Sequence, residues 1–320
     1  MGQNARPFRK RARLFAVRNL GRPLVWALKR TRWENADRLS RVLGWIAYTL
    51  SRRYRTVAVD NLRAAFPELT EDEAKRLTKR TFCNFCRALV EFFIAERFDQ
   101  SDVRRVTELI GIENLDDALR GGKGAIVITA HIGNWEILAR RAAAEGYPVN
   151  VIARDSDDPT MTGIVNRVRE SAGYKVLSRD SSVRSALRCL RANESLGILP
   201  DQNTLGDCVF VDFFGRPVAT AAGPALFALR TGAPVLCAFS SWERETKRYI
   251  CVVYPPIEAA LTGEADRDVE IVTAAYTKAI EAEIRKRPAD WLWLHSRWKR
   301  ANEAPGASAE SKQAAAAAPR

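Results

Sequence analysis

The sequence is poor in histidine and has no long apolar run. Two of its 320 residues are histidine, and no HExxH pair occurs, so the chain lacks the clustered imidazoles of a usual catalytic zinc site. The longest stretches without a charged residue are 124–135, 217–229 and 231–242. All of them fall short of the ~18 apolar residues that a membrane span needs. These absences argue against a zinc hydrolase and against a membrane-spanning helix.

Nucleotide-binding loops and disulfide frameworks are missing as well. Neither GxGxxG nor GxxxxGK[ST] occurs. The closest approach, RGGKG at 120–124, has the wrong glycine spacing and is typical of a turn. Six cysteines are too few for a disulfide framework in a chain of this length. We interpret Cys83 and Cys86, a lone CxxC in a helical pattern, as thiols on a packed helix face.

Acidic residues are scarce in the first 59 residues, which hold 15 Lys or Arg and 2 Asp or Glu. The rest of the chain is neutral, so this segment carries all of the net charge of +13. Such a segment faces an anionic partner, either a nucleic acid or a membrane leaflet. Tryptophans among its cations, including Trp26, Trp33 and Trp45, favour the lipid headgroup region. We predict that residues 1–58 form a basic, helical, amphipathic segment that associates with a membrane, and we expect no nucleic-acid partner.

Strand and helix signals alternate through the middle of the chain. Apolar, β-branched runs predict strands, and amphipathic stretches between them predict helices. The main strand predictions are 124–130, 148–153, 195–201 and 234–242. This alternation predicts an α/β fold with a mostly parallel central sheet flanked by helices.

The flanking segments set the expected domain limits. Thr70 and Glu73 form a capping box for a predicted helix over 71–96, which belongs to a domain that we place at 59–300. The Ala-rich stretch 301–320 is of low complexity, so we predict a disordered tail.

The stretch GAIVITAHIGNWEI, 124–137, carries the clearest chemical signal. His131 lies where a predicted strand ends, and open α/β sheets bind ligands beyond the carboxyl ends of their strands. Glu136 falls in the first turn of the next helix, with Asn134 as its N-cap. A carboxylate bonded to one ring nitrogen leaves the other nitrogen free to take a proton. The spacing alone is also compatible with a purely structural pair, because a helix N-terminus favours an acid.

Three more blocks accompany AHIGNWE: ILPDQN (198–203), VFVDFFGRPVATAAGPALFALRTGAPVL (209–236) and DWLWLHSRWK (290–299). Together they resemble the late acyltransferases of lipid A biosynthesis, the lauroyl and myristoyl transferases of Gram-negative bacteria. These enzymes belong to the wider group of HX4D/E glycerolipid-type acyltransferases. The resemblance extends from Val57 to Arg300 and implies a glycerolipid acyltransferase-like form of the α/β fold.

The resemblance implies a reaction. His131 would be the general base that takes the proton from the hydroxyl of a 3-hydroxyacyl chain on a Kdo-lipid A precursor. Glu136 would orient this imidazole and stabilise its charged form. The alkoxide would then attack the thioester of an acyl carrier protein. The backbone amides of Gly133 and Asn134 are suited to stabilise the resulting oxyanion.

The resemblance also implies substrate contacts. Arg169 and Asp201 match family residues beside the site, and Arg167 is the alternative to Arg169. Weaker candidates are Arg154, Arg216 and Thr220. Arginines are expected because the acceptor is a phosphorylated glycolipid, and guanidinium pairs with phosphate in a bidentate manner. His295, between tryptophans, is interpreted as a packing residue.

No cofactor and no metal are expected. The co-substrate would be acyl carrier protein loaded with a fatty acid, with acyl-CoA as the other possible donor. The enzyme would lie on the cytoplasmic face of the inner membrane, attached peripherally to anionic lipid. Many family members have an N-terminal membrane helix, so one crossing stays open. Two further hypotheses stay open: the same chemistry on another polar lipid, such as a phosphatidylinositol mannoside with acyl-CoA, and a non-catalytic membrane-binding protein on this fold.

Overall fold

A seven-stranded sheet forms the centre of the protein. The computed structural model describes residues 21, 23–153, 158–178, 182–204 and 206–305. Their strands are β1 (Thr107–Ile110), β2 (Ala125–Ile128), β3 (Val149–Ala153), β4 (Lys175–Ser178), β5 (Ser195–Ile198), β6 (Cys208–Phe213), β7 (Arg216–Ala221), β8 (Val235–Glu243) and β9 (Arg248–Pro256). The spatial order of the large sheet is β1-β9-β8-β2-β5-β3-β4, and β6 and β7 form a separate antiparallel pair.

Neighbouring strands of the large sheet run parallel, except for β8 and β9, which are antiparallel. The predicted mostly parallel sheet is therefore confirmed. The helices around it are α1 (Trp33–Leu50), α2 (Arg52–Ala65), α3 (Glu71–Ile94), α4 (Gln100–Val106), α5 (Glu113–Arg120), α6 (Trp135–Ala144), α7 (Pro159–Glu170), α8 (Ser182–Arg191), α9 (Gly223–Thr231) and α10 (Ala265–Lys286). Residues 23–30 are also helical.

Burial of β2 on both faces explains its apolar composition, which is typical of a central parallel strand. Ile126 and Ile128 are fully buried in a core that they share with residues of α9 and α10, such as Phe227 and Tyr276. Ala125 belongs to a second core on the α6 side of the sheet. The sheet therefore lies between two helical layers, and the end of β2 is firmly positioned.

The long helix α3 begins as its sequence predicts. The Thr70 side chain accepts from the Glu73 amide at 3.3 Å, and the Glu73 carboxylate accepts from the Thr70 amide at 2.9 Å, which completes the capping box. Helix α1 packs closely on α3 at Gly44, which has no side chain to keep the helices apart. A Cβ added there would lie 2.5 Å from the Cys83 Cα.

The N-terminal segment predicted for residues 1–58 is described only in part. Its expected boundary falls inside α2, and residues 1–20 and 22 lie outside the described residues, as do residues 306–320 of the predicted tail. Among the helices that the structure describes, none combines the length and the apolar composition needed to cross a bilayer. Membrane association of this segment stays a prediction.

Candidate active site

The loops that follow β2 and β5 meet at the carboxyl ends of the sheet. These strands are parallel neighbours, and the Thr129 amide extends their pairing by donating to the Ile198 carbonyl at 3.0 Å. His131 follows β2 and Asp201 follows β5, so strand pairing brings together two side chains that are 70 positions apart in the sequence. The site therefore lies where α/β sheets place their ligands.

His131 is held by Asp201. Its Nδ1 lies 2.8 Å from Asp201 Oδ1, and its backbone amide donates to Asp201 Oδ2 at 2.9 Å. The Trp291 indole Nε1–H donates to the same Oδ2 at 2.8 Å. Only 1% of the Asp201 side chain is exposed, against 21% for His131. The acid is thus the buried, fully bonded partner, and the imidazole is the accessible one.

Asp201 stays ionised in this setting. Burial alone would raise the pKa of its carboxyl group, but the His131 ring, the His131 amide and the Trp291 indole favour the anion and lower the pKa to about 2. An ionised carboxylate accepts a hydrogen bond and cannot donate one. The neutral His131 ring must therefore carry its proton on Nδ1, which leaves a lone pair on Nε2.

Within the part of the chain that the structure describes, the Nε2 atom of His131 has one hydrogen-bonding neighbour, the Gln202 side chain. The two Nε2 atoms lie 3.4 Å apart. Because the histidine nitrogen holds a lone pair, the glutamine must present its N–H there. Both residues line the same cleft, so the atom suited to take a proton faces the space where a substrate would bind.

Glu136 differs from its predicted role. Its carboxylate accepts from Arg169 Nη2 at 2.5 Å, from Arg169 Nε at 3.2 Å and from the Tyr174 hydroxyl at 2.6 Å. The contact with the His131 ring, expected from Glu136, is made by Asp201 instead. The reason is topological: β5 delivers Asp201 to Nδ1, whereas the first turn of α6 directs Glu136 toward α7.

Charge pairing dominates the surroundings of Glu136. Burial raises the pKa of the Tyr174 hydroxyl well above its usual value, and the Glu136 charge adds to that rise. Burial would lower the pKa of Arg169, but the attraction of Glu136 raises it overall. Glu136 and Arg169 therefore form an ion pair at the wall of the cleft, and both of them line it beside His131.

A double-mutant cycle measures this ion pair. We expect Glu136→Ala and Arg169→Ala each to lower the free energy of unfolding by about 3 kcal/mol, because each leaves a poorly solvated charge without its partner. The double variant should lose less than the sum of the two, with a coupling energy of about 1–3 kcal/mol. Urea denaturation measures all three, with the exposed Arg167→Ala on the same helix as control. Additive losses would contradict the pairing.

The remaining predicted substrate contacts are more scattered. Arg167 is exposed on α7, and Arg216 is exposed with its guanidinium carbon 5.5 Å from the Trp298 ring centre. Thr220 is buried, and its Oγ1 accepts from Arg297 Nη2 at 2.6 Å. Thr220 is thus part of a structural bond, and Arg154 lies outside the described residues.

The amides expected to stabilise an oxyanion are already in use. The Gly133 amide donates to the Asp290 carbonyl at 3.0 Å, and the Asn134 amide donates to Ser240 Oγ at 3.0 Å. Gly133 has a φ of 58°, and a Cβ there would lie 2.0 Å from the Ser240 carbonyl oxygen. This close contact with β8 explains the glycine, and the bonds to Asp290 and Ser240 already occupy the two amides.

Asn134 caps α6 as predicted, and a buried network that the sequence did not reveal holds it in place. Its Oδ1 accepts from the Ile137 amide at 3.0 Å, while its Nδ2 donates to Glu91 Oε2 at 3.0 Å. Glu91 also accepts from the Tyr249 hydroxyl at 2.6 Å. Burial raises the pKa of Glu91 to about 7, although these two hydrogen bonds favour the charged form and lower it. The network fixes the helix that carries Glu136.

The cleft beside His131 is long and largely apolar, with a volume of about 650 Å³. It follows the sheet face under α6 toward β1 and α5. Its apolar lining includes Val127, Leu138, Val151, Gly197 and Ile112. Such a cleft suits a flexible hydrocarbon chain, because burying apolar surface is favourable.

An imidazole held by a buried acid beside an apolar cleft is an arrangement typical of enzymes that use general-base chemistry. The family model of the bacterial lipid A biosynthesis acyltransferases matches residues 8–300. The chain therefore belongs to this family and is an acyltransferase, which confirms the resemblance seen in its motifs.

Individual relatives agree with the family. The chain is 25% identical over 282 residues to the lipid A biosynthesis lauroyltransferase of Escherichia coli K12, covering 88% of this chain and 90% of the relative. It is 26% identical over 260 residues to the palmitoleoyltransferase of the same strain, covering 80% and 82%. The phosphatidylinositol mannoside acyltransferase of Mycolicibacterium smegmatis is 26% identical over 245 residues, covering 74% and 77%.

Proposed function

We propose that this enzyme transfers a fatty acyl chain from acyl carrier protein to the hydroxyl of a 3-hydroxyacyl chain on a Kdo-lipid A precursor. The observation that carries the proposal is the His131–Asp201 pair at the mouth of an apolar cleft. The relatives named as lipid A acyltransferases favour the glycolipid as acceptor.

The reaction starts at His131. Its Nε2 takes the proton of the acceptor hydroxyl while the oxygen attacks the thioester carbonyl carbon. The carbonyl double bond opens to an oxyanion, and the new C–O bond forms. The oxyanion then collapses, the C–S bond breaks, and the imidazolium returns its proton to the leaving thiolate of the donor. Asp201 stabilises the imidazolium between these steps, as the acid of a triad does.

Arg169 gives the cleft a cation for the acceptor. Its Nε and Nη2 bond to Glu136, which holds the guanidinium plane at the cleft wall. The third nitrogen, Nη1, takes no part in these bonds and would meet a phosphate or carboxylate of the glycolipid. Glu136 thereby acts through Arg169 in our proposal.

The exposed surface of α1 and α2 supports attachment to the cytoplasmic leaflet of the inner membrane. Val42, Trp45 and Leu50 are exposed apolar residues on α1, and Arg52 and Arg53 at the start of α2 are exposed cations. Apolar side chains beside cations suit the interface of an anionic bilayer. This surface would place the cleft near a lipid acceptor.

A second acceptor is supported by one observation. The relative from Mycolicibacterium smegmatis is named as a phosphatidylinositol mannoside acyltransferase, and the His131–Asp201 pair would serve an alcohol on that lipid equally well. The donor in that case would be acyl-CoA. A non-catalytic membrane-binding role is disfavoured, because the base, its buried acid and the cleft are all present.

An assay with purified enzyme distinguishes the two candidate acceptors. It is incubated with the Kdo-bearing tetraacyl disaccharide and acyl carrier protein loaded with a fatty acid, and in parallel with a phosphatidylinositol mannoside and acyl-CoA. Our proposal expects a mass gain of one acyl chain on the disaccharide. A mass gain confined to the mannoside would show that the phosphatidylinositol mannoside is the acceptor. No mass gain on either lipid would overturn the proposed activity.

A further inference from the structure

The proposed transfer needs hydrogen-bond donors for an oxyanion, and the two amides expected to supply them are occupied. Gly133 and Asn134 donate to Asp290 and Ser240. Oxyanion donors must lie about 3 Å from the charged oxygen, which itself lies close to the base. The donor that the structure places beside His131 Nε2 is the Gln202 side-chain amide, at 3.4 Å.

The orientation of Gln202 follows from the histidine. Asp201 accepts the hydrogen bond of the Nδ1–H group, so Nε2 holds a lone pair and the glutamine amide must point an N–H toward it. A substrate hydroxyl has to reach the same Nε2 atom before it is deprotonated. Its arrival would displace the Gln202 amide from the imidazole. A short movement within the cleft would then bring the freed N–H groups beside the carbonyl that the hydroxyl attacks.

The backbone around Gln202 is held rigidly by the segment 291–300, which we call the C-terminal clamp. Arg297 Nη1 donates to the Gln202 carbonyl at 3.2 Å, and Arg300 Nη1 donates to the Thr204 carbonyl at 2.8 Å. The Asn203 amide donates to His295 Nε2 at 2.8 Å. The loop from Asp201 to Thr204 is therefore bonded at each of its residues.

The clamp is itself buried and anchored. Arg297 is 1% exposed and also donates to the Ala219 carbonyl at 2.6 Å. Burial lowers the pKa of His295 to about 4, so its ring stays neutral and accepts at Nε2. The Leu292 amide donates to the His131 carbonyl at 3.0 Å, which ties the clamp to the base as well. The clamp thus fixes the backbone that carries Gln202, so that only its side chain has to move when charge develops.

We propose that Gln202 is a catalytic residue whose side-chain Nε2–H donates to the thioester carbonyl oxygen as negative charge develops there. The inference rests on the proposed acyl transfer. When the hydroxyl oxygen attacks, the carbonyl oxygen becomes an oxyanion that Gln202 stabilises. When the C–S bond breaks, the carbonyl double bond re-forms and the hydrogen bond weakens. Gln202 gains and loses no proton in either step.

The test compares Gln202→Met and Gln202→Glu with wild type in the acyl transfer assay. Methionine keeps the length of the side chain and removes the donor, so kcat should fall about 100- to 1,000-fold, with little change in KM for the acyl donor. Glutamate puts an anion beside the oxyanion, so its kcat should fall further. Lowering the pH until this glutamate is protonated should raise the kcat of Gln202→Glu relative to that of Gln202→Met, because a protonated carboxylic acid can donate a hydrogen bond to the oxyanion.

The control is Gln100→Met, the same substitution at an exposed position on α4. It should match wild type in kcat and in melting temperature. An unchanged kcat in Gln202→Met would overturn the inference and leave the proposed function standing. A loss of kcat that follows a loss of folded protein, with no pH-dependent gain in Gln202→Glu, would assign Gln202 a structural role and also overturn it. Wild type that acylates neither lipid would overturn the proposed function itself.

Discussion

Replacing His131 with alanine should reduce kcat for acyl transfer by about 100- to 10,000-fold, the range that a positioned general base contributes. The hydroxyl of the acceptor is a poor nucleophile until its proton is removed, and in our proposal His131 Nε2, which lines the cleft, removes that proton. The fold should persist, because the His131 ring is partly exposed and Asp201 keeps its bonds to the His131 amide and to Trp291.

The matched variant is His131→Asn. Its amide N–H replaces the Nδ1–H that Asp201 accepts, so it removes the base and keeps the bond. We expect the same loss of kcat as in His131→Ala, with a melting temperature closer to wild type. Steady-state kinetics and thermal unfolding of both variants check this. Transfer at a rate near wild type in either variant would show that another group removes the proton.

Replacing Asp201 with asparagine should lower kcat about 10,000-fold, as in triads whose acid becomes an amide. Asp201 Oδ2 accepts from both the His131 amide and Trp291 Nε1, so the single amide oxygen of asparagine must occupy that position. Its NH2 group then faces His131 Nδ1 and donates to it. The histidine proton moves to Nε2, which can no longer accept a proton from the substrate.

The measurement for Asp201→Asn is the single-turnover rate with saturating donor and acceptor, which isolates the chemical step. Gln100→Met again serves as the control for an exposed substitution. Binding of the lipid acceptor should be little changed, because the exposed face of the site keeps its shape. A rate within about tenfold of wild type would show that the tautomer of His131 is not set by Asp201, given the loss that a wrong tautomer causes in a triad.

Most of the fold could be predicted from the sequence because its central strands are apolar and its helices are amphipathic. The predicted strand 124–130 corresponds to β2, and the helix predicted to begin at Asn134 corresponds to α6, with Asn134 as its cap. The short edge strand β1, of sequence TELI, is half polar, so no apolar run predicts it. The hairpin of β6 and β7 was recognised as a family motif and not as two strands.

The sequence predicts which residues lie close together at the site, but it does not predict which of them bond to each other. His131, Glu136 and Arg169 line one cleft, and Asp201 bonds to the His131 ring. Sequence spacing favoured Glu136 as the partner of His131 because it is five positions away. The actual partner depends on the pairing of β2 with β5, which no local pattern encodes. The occupied amides of Gly133 and Asn134 likewise depend on Ser240 and Asp290, which are distant in the sequence.

Gln202 and the C-terminal clamp show the same limit. Gln202 stands next to Asp201 in the motif ILPDQN, so the sequence placed it near the site but gave it no role. The buried Arg297 lies in a stretch rich in tryptophan that predicts only packing. Its bonds to Gln202 and Ala219 arise when this stretch folds back along the loop after β5.

The protonation state of the His131 ring tests the central claim most directly, namely that Asp201 fixes the proton on Nδ1 and leaves Nε2 as the base. With two histidines in the chain, their ring nitrogens can be assigned in a ¹⁵N NMR spectrum by comparison with His131→Asn. The account predicts a protonated Nδ1 and an unprotonated Nε2 in the neutral ring of His131. A neutral ring with its proton on Nε2 would contradict it.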